Sequence, residues 1–95
     1  MLDADMLILL RQDLQRTGSI PGEEAYLLQL LKAAQGSLER QGVRPDGSAD
    51  YDQLAISTAA WLYRKRVNGE AEPQFLRRMR LDMIASQGGR GGYAP

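Results

Sequence analysis

Neither histidine nor cysteine occurs among the 95 residues, so any chemistry must come from carboxylates, lysines, arginines and hydroxyls. Their absence removes the commonest general base, the thiolate nucleophile and most structural zinc sites. Carboxylates come in pairs at Asp3/Asp5, Glu23/Glu24 and Asp50/Asp52, each at the start of a segment with helical periodicity. Capping and complementarity to the helix dipole account for them there. Lys32 and Lys65 fall in helical stretches where solvent exposure is the default. The loop Asp46-Gly-Ser-Ala-Asp50 has a loose likeness to a calcium loop but lacks that motif's full ligand spacing and its closing glutamate. The chain therefore reads as a non-enzyme, with no catalytic residue, cofactor or metal site expected.

The basic residues point towards binding. Arg64, Lys65 and Arg66 close one helical segment, and Arg77, Arg78 and Arg80 lie in the next. A short turn makes these segments antiparallel neighbours, and such a patch suits phosphates. Against a dedicated nucleic-acid binder stand a pI near 6.2, where values above about 9 are typical, and the lack of clear helix-turn-helix spacing. A small helical DNA-binding or regulatory protein is thus the alternative reading.

The elements that position these groups follow from periodicity. Asp3 or Asp5 caps a first helix over 3–16, with Met6, Leu7, Leu10 and Leu14 on one arc and Ile8 pointing nearly the other way. Gly18 stops it. Pro21-Gly22-Glu23-Glu24 opens a second helix over 22–41, striped by Leu27, Leu31, Ala34 and Leu38 with Leu30 alongside. Gly36, in its interior, suggests close backbone packing or, equally, a tolerated weakness of the helix. Pro45-Asp46-Gly47 is a turn signal, and Asp50 suits the N-cap of a third helix over 50–68.

That third helix, containing the only tryptophan, organises the chain. Leu54, Thr58 and Trp61 share one face while Ile56, Ala59, Ala60 and Tyr63 fill much of the opposite one. A helix apolar around most of its girth is buried on several sides. A fourth helix, led by Pro73, runs over 73–86 with Phe75, Leu76, Met79 and Met83 on one side. The expected fold is all-α: a compact bundle of four short helices around Trp61, spanning 1–87 as one domain. The glycine-rich tail, 88–95, is expected to be flexible.

Composition sets further bounds. The hydrophobic fraction of 43% and the charged fraction of 25% suit a soluble globular domain. A core of this size is thin, so oligomerisation is a natural supplement. The longest apolar run, Met6 to Leu10, is far short of the roughly 20 residues that span a bilayer, so no membrane partner is expected. Net charge is zero but divided: residues 1–55 carry five basic and nine acidic groups, residues 56–95 seven basic and three acidic. A split of −4 and +4 invites either head-to-tail association of identical chains or neutralisation of one half by the other within a single subunit.

The order of features resembles the head-tail connector (adaptor) proteins of tailed double-stranded DNA bacteriophages and prophages. The likeness covers about residues 3–86. It rests on a Leu/Ala-rich second helix ending in Gly42, a polar loop, the Trp61-x-Tyr63-x-x-Arg66 end of an Ala-rich helix, and a proline-led helix with Arg77 and Arg80. The chain departs from the family's pattern at Ser19-Ile-Pro-Gly-Glu-Glu24, where an acidic run is usual, and at Gly36-Ser37-Leu38, where an aromatic is usual. The resemblance implies a structural virion protein at the head-tail junction, assembled in the host bacterial cytoplasm. It implies a ring of about a dozen identical subunits beneath the portal, docking tail or stopper proteins and extending a channel in which non-specific DNA contact occurs.

Residue chemistry then nominates the surfaces of such a ring. Arg64, Arg66, Arg77 and Arg80 are expected on its basic side and Glu23, Glu24 and Glu39 on its acidic side. Ile8, Ile56 and Tyr63 are expected to supply apolar contact between subunits.

Overall fold

The computed structural model describes residues 3–16 and 24–89. Four helices follow one another: α1 Asp3–Arg16, α2 Glu24–Arg40, α3 Ala49–Asn68 and α4 Gln74–Ile84, the last continuing into a π-helical turn Ala85–Gly89. No strand occurs among the described residues. The fold is an all-α bundle, as the periodicity indicates.

α1 spans the expected residues. α2 begins by Glu24, and the expected opening at Pro21-Gly22-Glu23 and the stop at Gly18 lie outside the described residues. α2 ends in a glycine cap of Schellman type. Gly42 takes φ 97°, its N–H donates to Glu39 O, and Val43 N–H donates to Leu38 O at 2.8 Å. Leu38 and Val43, the apolar pair of that motif, are both buried.

α3 starts one residue earlier than the sequence suggests. Ser48, not Asp50, is the N-cap: its Oγ accepts from Tyr51 N–H at 3.0 Å, and Asp46 Oδ1 accepts from Ser48 N–H at 2.9 Å. Asp50 sits inside the first turn, where its charge complements the dipole. α3 ends at Gly69, φ 71°, whose N–H returns to Lys65 O at 2.7 Å. Pro73 stands at the N-cap of α4 and does not enter the helix, so α4 is shorter than the expected 73–86.

α1, α2 and α4 all pack on α3. Every residue of α3 from Leu54 to Ala60 is buried, which confirms a helix covered on several sides. Its small residues make this possible, because Ala55, Ala59 and Ala60 bring neighbouring backbones close without leaving voids. The hydroxyl of Thr58 is satisfied within the helix by Leu54 O at 2.7 Å. Met6, Leu10, Leu14, Leu27, Leu31 and Leu38 complete the core from α1 and α2.

α3 is the central helix, and Trp61 lies partly buried where it packs on the margin of the core, just after Ala59 and Ala60. Three expectations need correction here. Ile56 is core, 2% exposed, so it is closed to any second subunit. Phe75 is 56% exposed, because α4 buries only Leu76 and Met83 among its own residues. Gly36 has no neighbouring backbone near it: an added Cβ would meet only the Arg40 guanidinium tip, at 3.5 Å. The tail over 90–95 lies outside the described residues.

Candidate functional site

The C-terminal end of α3 and the crossing to α4 form the most heavily tied region of the surface. The glycine cap at Gly69 turns the chain back, and Glu70–Pro73 then runs beside the last turns of α3. Trp61 donates its indole N–H to Glu70 O at 3.0 Å, and Arg64 Nε pairs with Glu70 Oε2 at 3.0 Å. Arg80, from α4, grips Glu72 with both terminal nitrogens. One segment of four residues is thereby fixed to two helices by a backbone carbonyl and two carboxylates.

A second set of contacts joins α3 to the start of α2. The rings of Tyr26 and Tyr63 meet edge-on at 6.2 Å, and the Arg66 guanidinium lies 5.6 Å above the Tyr26 ring. Lys65 lies 5.1 Å above the Trp61 ring. At exposed positions such contacts contribute about 0.5–1 kcal/mol each, enough to order the two cations without neutralising them.

These contacts sort the expected interface residues. Ile8, 56% exposed, remains available on α1, and Glu24 and Glu39 are exposed on α2. Glu23 lies outside the described residues. Tyr63 is half-buried against Tyr26, and Ile56 is internal. Arg66 and Arg77 are exposed. Arg64 and Arg80 are not the open cations expected of them: their side chains are 14% and 15% exposed. A guanidinium drawn that far out of water requires a carboxylate partner, and Glu70 and Glu72 supply one each. Neither the sequence position nor the residue type distinguished these two arginines from Arg77 and Arg78.

Several surface features were missed by the sequence reading. Leu9, Val67 and Leu81 are exposed along with Ile8 and Phe75. A groove of about 330 Å³ runs between the start of α3 and the end of α4, floored by Leu54, Met79 and Met83 and edged by Asp50 and Asp82. A signal for the α4 surface was present, since Phe75, Leu76, Met79, Leu81, Met83 and Ile84 are more apolar residues than one stripe can bury.

The titratable groups offer no acid–base or nucleophilic constellation among the described residues. Asp46 is lowered from 3.8 to about 2, first by hydrogen bonding to Ser48 and then by Gln87. Burial pushes the Tyr51 phenol up, with Asp52 adding to the effect. Asp46 serves structure: it braces the loop before α3, and Gln87 spans Asp46 Oδ2 and both backbone polar groups of Arg44 at 2.7–2.9 Å. No group of three or more potential metal ligands occurs among the described residues, and no described helix is long and apolar enough to cross a membrane. What the surface offers chemically is a set of exposed apolar side chains beside exposed charges of both signs. Comparison with known proteins gives no matching family model, no matching curated protein and no matching solved structure.

Proposed function

We propose that this chain is a structural virion protein, the subunit of a head-tail connector ring lying between portal and tail in a tailed double-stranded DNA phage or prophage. The work it does is binding and assembly, with no bond made or broken. Its partners are further copies of itself, the portal protein, and a tail or stopper protein, with non-specific phosphate contact to DNA in the channel.

The observation that carries this reading is the unbalanced surface. The ion pairs Arg16–Asp13, Arg64–Glu70 and Arg80–Glu72 each join residues of the same half of the chain, so they leave the −4 and +4 division in place. Exposed apolar residues accompany it on separate elements: Ile8 and Leu9 on α1, Val67 on α3, Phe75 and Leu81 on α4. A ring needs two dissimilar surfaces on each subunit, and separate patches meet that need. The sequence resemblance at Trp61-x-Tyr63-x-x-Arg66 supports the same reading, because Trp61 ties down the α3–α4 crossing while Tyr63 and Arg66 join the same end of α3 to Tyr26 of α2.

Deleting the gene from its phage or prophage and imaging the lysate tests the proposal. The expected result is filled heads and tails that fail to join, rescued by the gene in trans. Intact, infectious particles from the deletion would overturn it. So would a salt-sensitive, sequence-specific shift of duplex DNA at submicromolar protein, which would favour the small DNA-binding or regulatory alternative.

A further inference from the structure

Both flanks of α4 reach solvent. At about 100° per residue, Leu76 and Met83 define the inward direction. Gln74, Arg77, Arg78 and Leu81 fall on one outward flank, where they line a shallow depression of about 250 Å³. Met79 and Asp82 fall on the other side, where with Met83, Leu54, Gln53 and Asp50 they form the acidic-edged groove.

The two flanks have complementary chemistry. On the first, Leu81 is 49% exposed between two exposed arginines, and neither Arg77 nor Arg78 has an ion-pair partner among the described residues. On the second, Asp50 and Asp82 are exposed and likewise unpaired there, above a floor of leucine and methionine. Methionine adapts its shape to an incoming apolar side chain more readily than branched residues do.

Resting on the connector reading, we infer that the Arg77–Arg78–Leu81 flank of α4 in one copy docks on the Asp50–Asp82 groove of a second copy. Leu81 covers the Met79 and Met83 floor, and the arginines face the two carboxylates. Because donor and acceptor lie on opposite flanks of the same helix, each docked copy offers a fresh groove to the next, which is a heterologous contact. Pairing two basic flanks symmetrically would instead set Arg77 and Arg78 against their own duplicates, a like-charge arrangement. The acidic side is therefore Asp50 and Asp82, at the α3–α4 seam, in place of the glutamates of α2.

The cysteine-free chain allows a direct test in the full-length protein. Leu81→Cys combined with Gln53→Cys, oxidised at high protein concentration or on the portal, is expected to give a ladder of covalent multimers. Leu81→Cys alone is expected to stay uncrosslinked; a dimer from it would show a symmetric α4 contact and overturn the inference. If the double variant gives no ladder under conditions where the unaltered chain forms a ring, the inference falls and the connector reading stands. If the unaltered chain also stays monomeric on the portal, both fall. Separately, Arg77→Glu with Arg78→Glu should weaken association roughly tenfold, the sum of modest exposed pairs. Adding Asp50→Arg and Asp82→Arg should restore it, and failure to restore would contradict the pairing.

Discussion

α3 is covered in two different ways. Towards α1 and α2 it meets a dry surface of Met6, Leu10, Leu14, Leu27, Leu31 and Leu38, all essentially closed to solvent. Towards α4 it meets only Leu76 and Met83 as buried side chains, and the attachment is completed by polar ties. Those ties are Trp61 to the Glu70 carbonyl, Arg64 to Glu70, Arg80 to Glu72, and Gln87 to the loop before α3. Apolar burial contributes about 25 cal/mol per Å² without regard to direction, whereas each net hydrogen bond adds only about 0.5–1.5 kcal/mol but fixes an orientation. The first side thus supplies stability. The second supplies the pose of a helix whose outer flanks are left open.

The largest expected effect is on the apolar side. Leu31→Ala should lower unfolding stability by about 2–5 kcal/mol in denaturant titration. Leu76→Ala should behave differently, because α4 packs mainly on α3 and can loosen by itself. Hydrogen exchange should quicken across 74–87 while α1 and α2 keep their protection. Equal loss of protection everywhere in both variants would erase the distinction between the two sides.

Next comes a polar tie. Trp61→Phe keeps an aromatic ring but leaves the Glu70 carbonyl without its donor, and should cost about 0.5–1.5 kcal/mol. A cost as large as that of Leu31→Ala would mean Trp61 is a core residue after all. Gly36→Ala probes the outer face of α2 and should stabilise by about 0.5–1 kcal/mol, read as a raised Tm, since an added Cβ meets only a flexible guanidinium. Destabilisation in the isolated subunit would indicate packing at Gly36 that this structure does not contain.

The smallest effect is electrostatic. Asp46 has a folded-state pKa of about 2, below its ordinary 3.8, because Ser48 and Gln87 donate to its carboxylate. A depressed folded pKa means the stabilisation is fully present above about pH 4 and disappears as pH falls through about 2. Asp46→Asn should flatten the acid limb of the stability profile in that window. An unchanged limb would show that the Ser48 and Gln87 contacts to Asp46 are not maintained in solution.

The same division explains what could be read from the sequence. The leucine stripes of α1 and α2 and the glycine stops at Gly42 and Gly69 were legible because periodicity and left-handed caps are local properties. The pairing of Arg64 and Arg80 was not, since it depends on where a four-residue crossing lays Glu70 and Glu72. Ile56 and Phe75 exchanged roles for a related reason: helical angle says which residues share a face, but only the neighbours decide which faces are covered. Ser48 displaced Asp50 as the cap because Asp46 holds Ser48 in position, a loop interaction with no periodic signature. The open grooves of α4 were visible only as a surplus of apolar residues.

The central claim is that these open surfaces exist to join copies of the chain into a ring. Native mass spectrometry of the full-length protein, across concentration and salt, with and without a cognate portal protein, tests it most directly. The predicted result is monomer at low concentration, with a closed ring of a single stoichiometry appearing on the portal and weakening as salt rises. Persistent monomer with the portal present, or a symmetric dimer that stays closed under every condition, would contradict it.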